Sequence, residues 1–334
     1  MDTITQIALG AAVGEATLGH KVGSRAILWG GICAALPDLD LLVPLGDVVR
    51  NFTYHRSASH SLIVLAALTP LMVWLILKAH PQTAAYRTRW YLLVYLAFAT
   101  HVLLDCFTVF GTQVFWPIDN TPVAWSSVFI IDPAYSLPLM AGVLAALFMT
   151  RSRPTGHRLS WAGLVFSSAY LVFTLGAKLH VEQVARQSLA EQEIAYIRLL
   201  STPSPFNALL WRVLIVEEGG YREGFYSLFD EKREIRMQSY SSQPQLLQGI
   251  EDHWPVKRLQ WFTRGFYSVS RIGEDVVITD LRMGVEHSYV FRFKVGTTGN
   301  PHSNPAAAER LPSMRAPGRL KNVWIRIWNA DTTI

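Results

Sequence analysis

Long apolar runs within the first 180 residues restrict most strongly what this chain can fold into. A helix needs roughly 20 mostly apolar residues to cross a bilayer. Three runs suit this well, at 61–77, 90–110 and 159–177. Three others are weaker candidates, at 128–149, 4–19 and 26–45. The run at 128–149 is long enough but contains Pro133 and Pro138. We therefore predict an α-helical multi-pass membrane domain at 1–178, with about five to six hydrophobic segments.

The remainder of the chain has the pattern of a soluble, β-rich domain. Residues 179–200 read as a polar helix that continues the last apolar run, and 201–334 form the soluble domain. Two hairpins are predicted where glycines and acidic residues separate strand-like runs, at 209–217 with 221–229 and at 266–272 with 276–281. Residues 288–295 alternate as a half-buried strand does. Residues 296–318 are predicted to form a mobile loop, and 323–328 a last strand. The predicted fold class is α+β overall.

Charge indicates orientation and argues against nucleic-acid binding. The net charge of +5 is spread along the 334 residues without a long basic block, so a nucleic-acid partner is not expected. Basic residues concentrate in two loops, one with Lys78, Arg87 and Arg89 and the other with Arg151, Arg153 and Arg158. The predicted spans would place both loops on the same side of the membrane. Such loops favour the cytoplasm. The C-terminal domain would then be extracytoplasmic, although Arg50, Arg56 and Lys178 weigh against this orientation.

Ionisable residues stand where the apolar runs begin, end or break. Carboxylates and imidazoles are costly in hydrocarbon, so they tend to serve a purpose and to face a protein interior or a wet cavity. Six of them are candidate metal ligands: Asp38, Asp40, His55, His60, His101 and Asp105. Mixed His and Asp ligands suit Zn, Mn or Fe better than Ca or Mg. The set predicts one divalent metal site at a membrane surface, with zinc as the first choice.

Each group also has a simpler interpretation. His101 and Asp105 lie four apart on one helix face, where they could share an ion or only hold two helices together. Asp38 and Asp40 alternate in the chain, so one would face the ion; the other could orient a histidine or lie at a helix end. Two histidines at a membrane boundary, His55 and His60, could simply reach toward water.

Three further residues near these groups have possible roles. Arg56 could bind an anionic substrate group in a bidentate manner, or equally a lipid phosphate. Ser59 is a candidate N-cap for the helix that begins near His60. Glu15, an isolated acid in the first apolar run, is a candidate catalytic base.

These residues together resemble a known family. The opening Met1-Asp2-Thr3-Ile4-Thr5-Gln6, the Pro37-Asp38-Leu39-Asp40 segment, the His55–Ser61 segment and the His101-x-x-x-Asp105 pair with Thr108 and Gly111 resemble the YdjM/YbcI-like family. The resemblance covers roughly residues 1–150. It implies a prokaryotic inner-membrane protein with metal-dependent hydrolase activity. Many members have His where this chain has Gln6, which implies one ligand fewer or a weaker neutral ligand here.

The combined prediction is a membrane-bound metal-dependent hydrolase. A metal-activated water would attack a lipid-linked or headgroup-level ester or phosphoester, and the bilayer and a lipid-like substrate would be the partners. The alternative is a non-catalytic membrane protein whose Asp/His cluster is structural and whose C-terminal domain binds a partner. A proton-coupled transporter fits less well, because the polar groups cluster at one face.

Overall fold

A computed structural model describes residues 1–149, 154–313 and 319–334. It confirms a helical N-terminal region followed by a sheet-rich C-terminal part. Two compact units divide the chain. The helical unit comprises Met1–Val43 and His55–Leu175, and the sheet unit comprises Pro44–Tyr54 and Gly176–Ile334. Two of the basic residues used to predict orientation, Arg151 and Arg153, lie outside the described residues, as do residues 314–318 of the predicted mobile loop.

Eight α-helices form the described N-terminal part. The α-helices are α1 (Thr3–Gly14), α2 (His20–Val22), α3 (Ser24–Ala35), α4 (Val48–Tyr54), α5 (Leu62–Ala79), α6 (Arg87–Cys106), α7 (Pro133–Met149) and α8 (Thr155–Glu191). A π-helical turn, Glu15–Gly19, joins α1 to α2. Three 3₁₀ helices interrupt the sequence at Pro37–Leu42, Ala58–His60 and Pro81–Tyr86. Helix α4 belongs to the sheet unit.

Close packing of α1 on α3 depends on glycine. A Cβ added to Gly10 would lie 2.3 Å from the carbonyl oxygen of Gly30 and 2.3 Å from the Cβ of Ala34, so the two backbones approach more closely than any side chain would allow. Helix α6 forms the centre of the helical unit, and Trp90, Leu93 and Phe98 on it are fully buried. This packing holds the last turns of α6 beside the end of α3.

The number of membrane-crossing helices is smaller than the five to six predicted. Within the described residues, two helices are long and apolar enough to cross a membrane, Leu62–Ala79 and Thr155–Glu191. The first two apolar runs are divided by turns, so that α1 and α3 have 12 residues each. Helix α7 has 17 residues, about 25 Å, against a hydrocarbon core of about 30 Å. Helix α6 has sufficient length but carries Arg87, Arg89 and Asp105.

The sheet unit contains two antiparallel four-stranded sheets. The first has strands β1 (Arg198–Pro203), β2 (Leu210–Glu217), β3 (Gly220–Ser227) and β4 (Gln238–Ser241) in that order; the second has β5 (Tyr267–Ile272), β6 (Asp275–Asp280), β7 (Arg292–Thr297) and β8 (Asn304–Arg310) in that order. Both predicted hairpins are therefore present. Arg212 on β2 forms a buried ion pair with Glu223 on β3 and donates a hydrogen bond to the carbonyl of Leu281 at 2.7 Å, which ties the first sheet to the chain that follows β6.

Several local predictions in the C-terminal half were wrong. Residues 323–328 lie in helix α10 (Arg319–Trp328) and not in a strand. Strand β8 occupies part of the predicted loop at 296–318, and the alternating run at 288–295 becomes β-strand only from Arg292. The polar helix predicted for 179–200 ends at Glu191, and β1 begins at Arg198. A short helix, α9 (Trp254–Phe262), was not foreseen.

Candidate metal centre

Four of the six predicted ligands converge in the helical unit. Asp38, His60, His101 and Asp105 each present one ligand atom, and these four atoms all lie within 4.8 Å of one another. His60, His101 and Asp105 are fully buried, while Asp38 lies at the more accessible side. Buried ionisable groups that face each other require neutralisation or a shared ion. The cluster is therefore a candidate site for a divalent metal.

The spacing of the four ligand atoms fits a tetrahedral ion. The Nε2 atoms of His60 and His101 are 3.1 Å apart. Oδ1 of Asp38 lies 3.5 and 3.7 Å from these two nitrogens, and Oδ2 of Asp105 lies 3.3 and 3.6 Å from them. Bonds of about 2.0–2.1 Å to a tetrahedral zinc would place two ligands about 3.3–3.4 Å apart. The five separations that involve a histidine nitrogen, 3.1–3.7 Å, lie on both sides of this value.

Local sequence explains how each ligand is placed. Pro37 cannot continue the hydrogen bonding of α3, so the chain turns there into the 3₁₀ helix that carries Asp38. His60 ends the 3₁₀ helix immediately before α5. His101 and Asp105 lie one turn apart on α6 and point from the same face. Two 3₁₀ helices and one face of α6 thus contribute to a single cluster.

Backbone contact fixes the tautomer of His101. Its Nδ1 lies 2.7 Å from the carbonyl oxygen of Ala34 at the end of α3. A carbonyl only accepts hydrogen bonds, so Nδ1 carries the proton and Nε2 presents its lone pair to the cluster. This arrangement of an outer acceptor behind a ligating histidine is typical of metal sites.

A serine bridge fixes His60 in the same way. The hydroxyl of Ser59 donates to Oδ2 of Asp40 at 2.5 Å and lies 2.9 Å from Nδ1 of His60. Because its proton is committed to the carboxylate, the hydroxyl accepts from Nδ1–H of His60. Nε2 of His60 is then unprotonated and available to a metal. The sequence had suggested Ser59 as an N-cap, but Ser61 caps α5, accepting from the amides of Ile63 and Val64.

Asp40 and His55 lie behind the four ligands. Nδ1 of His55 lies 2.8 Å from Oδ1 of Asp40, and the amide of Arg56 donates to Oδ2 of Asp40 at 3.2 Å. Burial raises the pKa of Asp40, but hydrogen bonds from His55 and Ser59 outweigh it and lower the pKa to about 2. Burial lowers the pKa of His55, and its hydrogen bond to Asp40 offsets this only in part. Both were predicted ligands; the structure places them as an Asp–His pair beside the four.

The carboxylates and imidazoles of the cluster shift each other's pKa. Burial raises the pKa of Asp38, but His60 and His101, which attract the carboxylate when they are protonated, lower it below its usual value. Burial lowers the pKa of His60, yet the carboxylates of Asp105 and Asp38, which stabilise its protonated form, raise it above its ordinary 6.5. Two carboxylates around one imidazole create a strongly negative site, which favours a cation.

Arg56 and Gln6 also contact Asp105. Nε of Arg56 lies 3.1 Å from Oδ2 of Asp105, and Nη1 donates to Oγ1 of Thr108 at 3.0 Å. The amide of Gln6 donates to Oδ1 of Asp105 at 3.0 Å, and the amino group of Met1 forms an ion pair with the same oxygen. Gln6 therefore orients a ligand through its amide nitrogen. Oδ2 of Asp105 is buried and has no hydrogen-bond donor among the described residues.

Glu15 does not lie with the cluster. It is buried in the π-helical turn after α1, where its Oε1 lies 3.2 Å from Nδ1 of His157. Nine residues of helix, about 13 Å, separate it from Gln6. The structure thus provides no contact between this predicted base and the candidate metal ligands.

Comparison with known proteins places the N-terminal part in a family. The chain is similar over 179 residues, at 27% identity, to a Bacillus subtilis (strain 168) protein named "Uncharacterized protein YfhP"; the match covers 52% of this chain and 51% of the relative. The chain thus spans about half the length of the curated relative it matches. No solved structure matches. The family model for the YdjM inner membrane protein matches residues 1–181, which include every residue of the cluster. The chain belongs to the YdjM inner membrane protein family.

Proposed function

We propose that this protein is a membrane-bound, metal-dependent hydrolase of a lipid-linked ester or phosphoester. One observation carries the proposal: two imidazole nitrogens lie 3.1 Å apart and 3.3–3.7 Å from two carboxylate oxygens, in a cluster whose four ligand atoms all lie within 4.8 Å of one another. Asp38, His60, His101 and Asp105 would hold the ion, with zinc the first choice and manganese or iron the alternatives. A bound Zn²⁺ supplies Lewis acidity and lowers the pKa of a coordinated water to about 7.

His55 and Asp40 are suited to proton transfer beside the ion. Asp40 fixes the Nδ1 proton of His55 at 2.8 Å, which leaves Nε2 as the basic nitrogen. The centres of the His55 and His60 rings lie 5.7 Å apart. At this distance His55 could reach a water molecule bound to the metal. An imidazole oriented by a carboxylate is the usual arrangement of a general base. In this proposal His55 replaces Glu15 as the residue that takes the proton.

Arg56 is suited to hold an anionic substrate group. Its Nε lies 3.1 Å from Oδ2 of Asp105 and its Nη1 donates to Thr108, so Nη2 is the nitrogen that it would offer to a substrate in this proposal. The guanidinium carbon lies 5.1 Å from the centre of the Phe110 ring. A phosphoester oxygen is the chemistry that the remaining guanidinium edge would recognise.

The apolar surroundings of Asp38 and Asp40 support a lipid-like substrate. Leu39, Leu41 and Leu42 alternate with or follow the two acids and are 50%, 65% and 78% exposed. The same short 3₁₀ helix thus carries a ligand and an exposed apolar rim. An amphiphile would place its head at the ligands and its chain along the leucines.

Hydrolysis of paired substrates tests the proposal. Purified protein in nanodiscs, loaded with Zn²⁺ or Mn²⁺, would be assayed on a long-chain 4-nitrophenyl phosphodiester and on the matching neutral ester. We expect His101→Ala to abolish turnover, and His55→Gln to lower kcat with little change in metal content. Arg56→Ala should raise KM for the anionic substrate more than for the neutral one. Turnover that persists in His101→Ala would refute the proposal.

A structural metal site is the second candidate, because four protein ligands can saturate a tetrahedral zinc. Asp105 is also already paired with Arg56, which neutralises part of the cluster without an ion. X-ray absorption distinguishes the two functions. A fifth light-atom ligand supports catalysis, whereas four ligands at tetrahedral distances, together with loss of thermal stability on chelation and no turnover, support the structural role.

A further inference from the structure

Helix α10 (Arg319–Trp328) presents two different faces. Its inner face packs on the first sheet of the sheet unit, with Val323 and Ile327 buried against Leu210. Arg326 on this face is also buried and forms a paired hydrogen bond with both carboxylate oxygens of Asp230, each at 2.8 Å. The hydroxyl of Ser227 donates to the carbonyl of Ile327 at 2.7 Å. These contacts fix the orientation of the helix on the sheet.

The outer face is apolar and exposed. Trp324 and Trp328 lie one turn apart and are 49% and 71% exposed, and Leu320 and Ile325 beside them are similarly exposed. The exposed ring of Phe229 stacks on Trp328 at 4.7 Å, which extends the apolar surface beyond the helix. Exposed tryptophans that form one continuous patch mark an interaction surface.

The segment that carries this face is basic in sequence. Residues 310–330 contain five basic residues and no acidic one: Arg310, Arg315, Arg319, Lys321 and Arg326. Of these, Arg326 is paired with Asp230, whereas Lys321 is exposed on the helix between the tryptophans and Ile325. A helix with aromatic residues on one face and Lys or Arg around it is the pattern of interfacial membrane binding.

We propose that the outer face of α10 binds the surface of an anionic lipid bilayer. Trp324 and Trp328 would lie at the level of the headgroups, where amphipathic indole rings are favoured, and Lys321 would face lipid phosphates. A bilayer is the expected occupant because the same chain carries two membrane-length helices, one of which, α8, runs directly into the sheet unit. Because α8 and α10 belong to one chain, a bilayer that α8 crosses is tethered to α10, which raises its effective concentration.

A fluorescent reporter on the outer face tests this inference in the full-length protein. Ile325→Cys would be labelled with an environment-sensitive dye and reconstituted at one protein per nanodisc, in phosphatidylcholine with or without phosphatidylglycerol. The native thiols of Cys33 and Cys106 are buried and do not compete for the dye. We expect a blue-shifted emission that spin-labelled lipids quench, and stronger quenching with phosphatidylglycerol.

Two controls separate the membrane from other occupants. Adding Trp324→Glu and Trp328→Glu should return the emission to that of a dye in water, while a dye at Gln245→Cys, on a short exposed helix of the same unit, should give the water-exposed emission throughout. A dye at Ile325→Cys that is water-exposed in every lipid would overturn the proposal. A blue shift that appears only with two proteins per nanodisc, and that spin-labelled lipids do not quench, would also overturn it. A second copy of the protein would then cover the face.

Discussion

Removing the hydroxyl of Ser59 should weaken metal binding without removing any metal ligand. Ser59 connects Asp40 to Nδ1 of His60 through bonds of 2.5 and 2.9 Å, and Asp40 itself lies 3.7 Å from that nitrogen, too far to replace it. In Ser59→Ala, the Nδ1 proton of His60 loses its acceptor and the imidazole is no longer held in the ligating tautomer.

The expected loss follows from the behaviour of outer partners at other metal sites. Removing one typically lowers metal affinity about 10- to 100-fold, which corresponds to about 1.4–2.7 kcal/mol. Ser59→Thr keeps the hydroxyl and should retain most of the affinity. Competition titration with a chromogenic chelator, on detergent-purified protein, measures the dissociation constant of each variant directly.

Ser61→Ala is the matched control, two residues away. Ser61 accepts from the amides of Ile63 and Val64 and donates to the carbonyl of Trp116 at 2.6 Å, but it has no contact with a ligand side chain. Its loss should lower the free energy of unfolding by about 0.5–2 kcal/mol, as for other N-caps, and leave metal affinity unchanged. Equal affinity in Ser59→Ala and wild type, or an equal loss in both variants, would refute the role assigned to Ser59.

Two further predictions concern protonation and helix packing. The pKa of His60 is raised above 6.5 by its carboxylate partners, so protons compete with the metal up to a higher pH; apparent metal affinity should therefore rise as pH increases through that pKa, and a titration that is flat or falls over this range would contradict the assignment. Gly10→Ala should destabilise the protein by about 1–3 kcal/mol or more, because its Cβ would meet Gly30 and Ala34 at 2.3 Å. Gly176→Ala, where no described atom lies within 4 Å of the new Cβ, should instead stabilise α8 by about 0.5–1 kcal/mol; thermal unfolding of both variants in one detergent checks the difference in sign.

The general arrangement of the helical part could be predicted because hydropathy is a local property. The runs around α5 and α8 remain as membrane-length helices. The runs at 4–19 and 26–45 do not, because turns divide them into 12-residue helices. Apolar composition also cannot distinguish contact with lipid from burial against other helices. Trp90 and Phe98 on α6 are as apolar as lipid-facing residues, yet other helices bury them completely.

The candidate ligands could be proposed from the sequence because charged residues in apolar runs are conspicuous. Which of them would converge depended on three-dimensional turns. Asp38 and Asp40 are equivalent by composition, and only the 3₁₀ geometry after Pro37 directs the first to the cluster and the second to Ser59. The role of Ser59 was missed, although its position directly before His60 was a usable signal.

Helix α10 shows why short amphipathic segments are ambiguous. Residues 323–328 alternate in a way that resembles a strand, and the β-branched Val323, Ile325 and Ile327 reinforce that impression. Burial of Val323, Arg326 and Ile327 together follows a helical period instead. The ion pair between Arg326 and Asp230, a contact between residues far apart in sequence, could not be read from the local pattern.

Metal content per chain tests most directly whether Asp38, His60, His101 and Asp105 form one binding site. Wild type, His60→Ala, His101→Ala and the control His157→Ala, whose side chain contacts Glu15 instead, would be purified in the same detergent and measured by mass spectrometry of the metals. We predict one equivalent of a divalent transition metal in wild type and in His157→Ala, and its loss in the other two. Wild type without bound metal after incubation with Zn²⁺, Mn²⁺ and Fe²⁺, or full retention in His60→Ala and His101→Ala, would contradict the assignment of the site.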